Sequence, residues 1–371
     1  MIKVLHLSHA MVWGGNEQQL VDLIPAIEYH NVFNTIFCFE NSEIHKYSLK
    51  NKLNFIATKK KSTYSFSLSK ILNQIIIRDG YQIVHMHTSN SVGTFLTLNL
   101  LFSPKIYGIF SKKGISDSSS FFSKIKYNFY KIKKYICVSN AVYDSFSKSI
   151  KTKNRHKLSL IYDGINLDRI SLKSPYSIRE KLNIDKDTYL IGSIANHSPA
   201  KDLITLIRGL SELKSLGINN FFCAQIGKKS NLTKILEKEI SDLGIDNHIK
   251  LLGYQDQASS FISQFDCFCL SSMREGLPLS ILESFYVGTP VIATKAGGIP
   301  EAITSGFNGS LVAIEDYKNF GLKIKELLIN KALKRKYIEN SKEKLKKNFT
   351  NKVCAKNTYS VYNEVLTENN G

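Results

Sequence analysis

The chain has 371 residues, 43% of them hydrophobic, and a net charge of +19. That length provides two domains, each with its own core, and no apolar run approaches the ~20 residues of a membrane-spanning helix. The six cysteines, Cys38, Cys137, Cys223, Cys267, Cys269 and Cys354, lack any Cys-x-x-Cys zinc spacing. They read as reduced core residues of a cytosolic protein, with Cys267 and Cys269 expected on alternate faces of a strand. Lys plus Arg outnumber Asp plus Glu 23 to 10 in residues 1–172 and 27 to 21 afterwards. Such a balance suits nucleic acid, an anionic membrane surface or an anionic substrate, but no RNP-like strand, zinc finger or helix-turn-helix is present.

Residues 2–7 are β-branched and apolar and read as a first strand rather than a signal peptide. Gly14-Gly15-Asn16-Glu17 then turns into a helix with an apolar face of Leu20, Leu23, Ile24 and Ile27. A second strand is predicted at 34–39 and a helix around 69–78. Strand 82–87 ends in His85 and His87, expected on opposite faces. Strand 105–110 is followed by Ser111-Lys112-Lys113, whose lysines are candidates for an anionic acceptor. In 121–135, FFSKIKYNFYKIKKY, aromatics and lysines interleave at helical spacing, the pattern of an amphipathic basic surface. Strand 136–138 leads into a helix capped by Ser139 or Asn140. Asp163-Gly164-Ile165-Asn166 closes the first half, and a polar linker lies within 168–187.

The second half repeats the alternation of strand, turn and helix. Strand 189–195 precedes Asn196-His197-Ser198-Pro199-Ala200-Lys201 and a helix over 203–216. Strands follow at 221–227 and at 249–253, the latter ending in Tyr254-Gln255. Asp185-Lys186-Asp187 precedes a strand rather than ending one and reads as solvated loop, not as a metal–diphosphate motif. The densest stretch is 265–301. An apolar strand at 267–270 runs into Glu275-Gly276-Leu277-Pro278, then a helix containing Glu283, a stop at Gly288-Thr289-Pro290, a strand at 291–293 and a second glycine turn, Ala296-Gly297-Gly298-Ile299-Pro300-Glu301. Open α/β sheets bind ligands at such strand ends. Pro278 suits a first helical position, and Glu275 and Glu283, eight residues apart, could share a helix face. Residues 316–347 and 351–366 keep helical spacing.

The Glu275-x7-Glu283 pair, the Gly276-Leu277-Pro278 after it and Ala-Gly-Gly-Ile-Pro-Glu downstream resemble the retaining glycosyltransferases of family 4, the bacterial-type glycosyl transferases group 1. The resemblance covers nearly the whole chain. It implies an α/β GT-B fold: two Rossmann-like domains, 1–172 for the acceptor and 173–350 for the nucleotide sugar, facing across a cleft, with 351–371 crossing back to the first. It places Glu275 near the donor-sugar hydroxyls and Glu283 on the ribose. Gly276, Leu277, Pro278 and Leu279 then face the sugar and diphosphate, Gly14 and Gly15 lie near the diphosphate, and Tyr254 near the base. Lys201 neutralises the leaving diphosphate, with Glu275 and His87 at the reaction centre. Where the family has an arginine partner for Lys201, this chain has Asn196, which donates a hydrogen bond but carries no charge.

The expected activity is hexosyl-type transfer from a nucleotide-diphosphate sugar to an acceptor hydroxyl with retention, in cell-surface polysaccharide or glycolipid synthesis. No cofactor or metal is expected. The expected partners are a nucleotide sugar, a carbohydrate or lipid-linked acceptor and an anionic membrane surface, at the inner face of which the protein sits peripherally. The rivals are a catalytically weak homologue serving as a binding or scaffold subunit, and a GT-B-like sugar-nucleotide epimerase.

Overall fold

The computed structural model describes residues 1–115 and 121–368, with Phe121 described by its backbone alone. The chain divides into two compact units, Met1–Ile165 with Thr350–Gly371, and Asn166–Phe349. In the first unit seven strands form one parallel sheet: β1 (Ile2–Leu7), β2 (Val32–Phe39), β3 (Phe55–Thr58), β4 (Ile83–Met86), β5 (Tyr107–Lys112), β6 (Ile132–Cys137) and β7 (Leu158–Leu160). Their spatial order is β3-β2-β1-β4-β5-β6-β7. The second unit holds β8 (Tyr189–Ile194), β9 (Phe221–Ile226), β10 (Ile249–Gly253), β11 (Cys267–Leu270), β12 (Val291–Thr294) and β13 (Ser310–Val312), in the order β10-β9-β8-β11-β12-β13. Both sheets therefore reverse their winding once, between β1 and β4 and between β8 and β11. Such a switch point opens a crevice at the carboxyl ends of the strands.

The central strands are buried on both faces, which is why they read as apolar runs. The last helix, Asn351–Thr367, belongs to the first unit. Its Cys354, Ala355, Val361, Tyr362 and Val365 join a core with Val4, Leu23, Ile83 and Ile136. The chain enters that helix through a tight contact: a Cβ placed on Gly164 would lie 2.1 Å from the Thr350 carbonyl oxygen, so only glycine fits.

Two helical expectations change. The 121–135 stretch is helical only over Phe121–Tyr127, and Ile132–Cys137 is the sixth strand. There Ile132, Lys134 and Ile136 alternate with Lys133 and Tyr135, and sheet pairing to β5 and β7 outweighs the helical spacing. Phe121's side chain lies outside the described residues. The 316–347 stretch is two helices, Tyr317–Ile329 and Lys331–Asn348, divided at Asn330, whose side chain caps the second by accepting from the Leu333 amide.

Candidate functional site

In the second unit the sequence-predicted residues gather at the switch point. Asn196 and Lys201 follow β8, and the 271–279 turn follows β11. Hydrogen bonds tie the two loops, with the amide of Met273 donating to the Ala200 carbonyl at 2.9 Å and Ser271 Oγ to the Asp202 carbonyl at 2.7 Å. Across this seam the Lys201 ammonium donates to Glu275 Oε1 at 2.5 Å, and Ser272 Oγ donates to the same oxygen at 2.6 Å. An ammonium has three donors and Glu275 takes one. Lys201 is 27% exposed, so this pair is screened and adds little to stability.

Glu275 and Glu283 do not share a helix face. The residue before a proline avoids the α conformation, and the helix runs over Leu279–Val287 with Pro278 in extended geometry as its N-cap rather than its first turn. Glu275 is therefore in the turn and Glu283 in the second turn of the helix. Pro278 offers no side-chain cap and no N–H, so a ligand oxygen at this helix start would meet the amides of Gly276, Leu277 and Leu279. Glu283 is buried and accepts from Arg169 Nη2 at 2.9 Å. Sequence reasoning missed Arg169, because the two residues stand far apart in the chain and nothing local marks the pair. Asn196 is exposed, and its Oδ1 accepts from the Lys228 amide at 2.8 Å. Its side chain thus fastens the β8 loop to the β9 loop. Tyr254, at the end of edge strand β10, is 66% exposed.

In the first unit, Gly14 is the extended N-cap of helix Gly15–Glu28, and a Cβ at Gly15 would meet nothing within 4 Å. Glu17 in its first turn is buried, and desolvation raises its carboxyl pKa. His87 follows β4, fully buried, with its amide donating to the Leu7 carbonyl at 3.1 Å. His85 and His87, expected on opposite faces, share one, since residues two apart on a strand point the same way. Their rings lie 4.3 Å apart. The same alternation puts Cys267 beside Cys269, and all six cysteines are free and buried. His6 on β1, which the sequence reading passed over, completes a cluster: its Nδ1 lies 3.0 Å from His87 Nε2 and its Nε2 2.9 Å from Asn34 Oδ1. His85 binds Tyr362 OH at 2.7 Å and Ser111 Oγ at 2.8 Å. Burial lowers the His6 pKa to about 4 and those of His85 and His87 well below the usual value, with Lys113 adding to the effect on these two. All three rings are neutral. Lys113 does not stand open to an acceptor, since it is paired with Asp163 and both side chains are 8% exposed.

The two sheets and their switch points are those of the GT-B class of α/β proteins. Residues 176–344 match the family model described as glycosyl transferases group 1, so the second unit carries that domain and the chain is an enzyme of the glycosyltransferase class. It is 26% identical over 358 residues to an uncharacterized glycosyltransferase of Methanocaldococcus jannaschii, covering 94% of this chain and 93% of that one. It is 29% identical over 167 residues to the lipopolysaccharide core biosynthesis glycosyltransferase LpsE of Rhizobium meliloti, 45% of this chain and 47% of the relative. Among solved structures, HepE of Anabaena in complex with UDP and glucose has the same fold, with TM-score 0.82 and 18% identity over 98% of this chain and 100% of that one. Among the described residues no helix is long and apolar enough to cross a membrane.

Proposed function

We propose that the protein transfers a sugar from a nucleoside diphosphate sugar to an acceptor hydroxyl with retention of configuration, as a family 4 enzyme of cell-surface polysaccharide or glycolipid synthesis. The observation that carries this reading is the joined β8 and β11 loops, which bring Lys201, Glu275 and an uncapped helix start together, with Glu283 of that helix held by Arg169. The name of the Rhizobium relative and the UDP and glucose bound to the Anabaena fold relative support the setting and the donor class.

Glu283 accepts hydrogen bonds from the ribose hydroxyls, with Arg169 holding its carboxylate in place. Glu275 accepts from the donor-sugar hydroxyls. As the bond from C1 to the phosphate oxygen breaks, charge grows on the diphosphate, and Lys201 and the Gly276, Leu277 and Leu279 amides stabilise it. The acceptor oxygen bonds to C1 and passes its proton to the departing phosphate oxygen. These groups supply the positive charge, so no metal is required. The first unit's lysines hold the protein at an anionic membrane surface beside a lipid-linked acceptor.

Titration calorimetry with UDP-, GDP- and ADP-sugars, followed by product analysis with the sugar that binds, tests the reading. Binding of one class, and a glycosylated product keeping the donor's anomeric configuration, are expected. Epimerised donor without acceptor, or binding with no turnover, would overturn it in favour of an epimerase or a binding subunit.

A further inference from the structure

The bonds around His6 fix where protons sit in the buried imidazoles. Asn34 on β2 pairs with Val4, two residues before His6 on the same strand, and β2, β1 and β4 are neighbours in the sheet. Asn34 Nδ2 donates to the Val32 carbonyl at 3.1 Å, which turns its Oδ1 toward His6. A carbonyl oxygen only accepts, so the His6 proton is on Nε2. A neutral imidazole has one N–H, so His6 Nδ1 is a bare lone pair, and the group 3.0 Å from it, His87 Nε2, must donate. The His87 proton is therefore on Nε2, and its Nδ1 is an acceptor. That atom has no hydrogen-bond partner among the described residues although it is fully buried. Leaving such an atom unsatisfied costs free energy, and a donor reaching it recovers that cost.

We propose that Asn34 and His6 are positioning residues for the transfer reaction: through this two-link chain they hold His87 with its proton on Nε2, so that Nδ1 accepts a hydrogen bond from a substrate hydroxyl. The proposal rests on the glycosyltransferase reading above. It explains three otherwise costly features at once, a buried histidine on β1, a buried asparagine on β2 and an unpartnered nitrogen on His87. The wrong tautomer would present an N–H, which competes for the hydroxyl's oxygen instead of receiving its proton. The groups facing His87 leave it neutral: His85 is itself neutral, Ser111 and Tyr362 occupy both His85 nitrogens, and Lys113 is cationic and opposes protonation. The three imidazoles lie close enough to hold a metal ion. Ligation by all three would have to break the His6–His87 hydrogen bond on which the tautomer chain depends.

Nitrogen-15 NMR of histidine-labelled protein at neutral pH reads the tautomers without any substrate, with His87→Gln assigning the His87 signals. We expect a protonated Nε2 and bare Nδ1 on both His6 and His87. His6→Leu removes the acceptor and should release the His87 tautomer and lower kcat at least tenfold, with the donor Kd within about twofold. His6→Asn places an amide oxygen where His6 Nδ1 was and should keep the His87 tautomer, which separates lost positioning from a damaged fold. A proton on His87 Nδ1 in the wild type, or unchanged kcat in a folded His6→Leu with an altered tautomer, would overturn the proposal. A wild type with the expected tautomer that turns over no nucleotide sugar would overturn the glycosyltransferase reading and the proposal with it, and the NMR result tells the two failures apart.

Discussion

Acidification should destabilise the first unit, and its buried histidines set by how much. His6 and His9 are buried, and desolvation lowers each pKa from 6.5 to about 4. Between those values the unfolded chain binds a proton that the folded chain refuses, so stability falls as pH falls through that window. At pH 5 the two-state expression gives about 2 kcal/mol lost for each, relative to neutral pH. His85 and His87 are pushed the same way and add to the loss. Glu17 and Asp163 oppose it, because burial raises their carboxyl pKa values and the folded state then holds protons better than the unfolded one. A net loss of several kcal/mol is a large share of the ~5–15 kcal/mol of a typical domain.

The measurement needs a probe confined to one unit, since a two-unit chain has no single unfolding free energy. Trp13 is the only tryptophan, and it packs on Tyr47 with ring centroids 4.8 Å apart, within the first unit. Urea unfolding followed by its fluorescence at pH 7.5 and 5.0 should give a midpoint several tenths molar or more lower at the acid pH. In His6→Asn, about 2 kcal/mol of that pH dependence should vanish. Equal midpoints at the two pH values, or a variant with the wild-type dependence, would refute the reasoning.

Glu283→Ala should abolish donor binding while the fold survives, a loss of roughly 2–4 kcal/mol for a charged, buried hydrogen-bonding partner; calorimetry with unchanged nucleotide affinity would refute the ribose role. Lys201→Ala should lower kcat more than it raises the donor Kd, and Asn196→Arg should raise kcat unless another cation already serves; equal effects of Lys201→Ala on binding and rate would indicate ground-state binding only. Gly164→Ala should destabilise the first unit by about 2 kcal/mol or more, because its Cβ would meet backbone that cannot yield, as read from the Trp13 urea midpoint. Anionic vesicles should sediment the protein in a salt-sensitive way, less so when Lys124, Lys126, Lys131 and Lys133 become Gln, each lysine near the surface contributing about 1 kcal/mol; equal binding to neutral vesicles would sink the membrane proposal. Lys134 is left in place because it is buried against Glu364.

The strands were legible because they are buried on both faces: apolar runs at 2–7, 267–270 and 291–294 stand out against glycine turns. The Glu275 turn and its loop with Lys201 were legible as a motif. What those side chains touch was not. Lys113 with Asp163, Lys134 with Glu364 and Arg169 with Glu283 join residues from 50 to 230 positions apart, and such pairs leave no mark on local spacing. The 121–135 stretch misled for a related reason. Its aromatics and lysines satisfy a helical period and, from residue 132, a strand period as well, and only pairing with β5 and β7 decides between them. Asn34 and His6 sit in apolar strands where nothing local marks a polar chain.

The two switch points carry opposite electrostatics, and burial is the cause. In the second unit Lys201, 27% exposed, pairs with Glu275 where water still reaches it. Such an ammonium can exchange a carboxylate for a diphosphate without paying the full cost of stripping a bare ion. In the first unit His6, His85 and His87 are fully buried, and removing water from them removes their charge. Neutral imidazoles give a diphosphate no charge to bind. They suit a neutral hydroxyl, whose direction of hydrogen bonding depends on which nitrogen holds the proton. A first unit that recognised anions through these histidines would have to ionise them at neutral pH, against both the burial and the Lys113 charge. On the proposed function, diphosphate recognition belongs to the lysine and helix start after β8 and β11, while His6 on β1 and His85 and His87 on and after β4 serve to orient a proton.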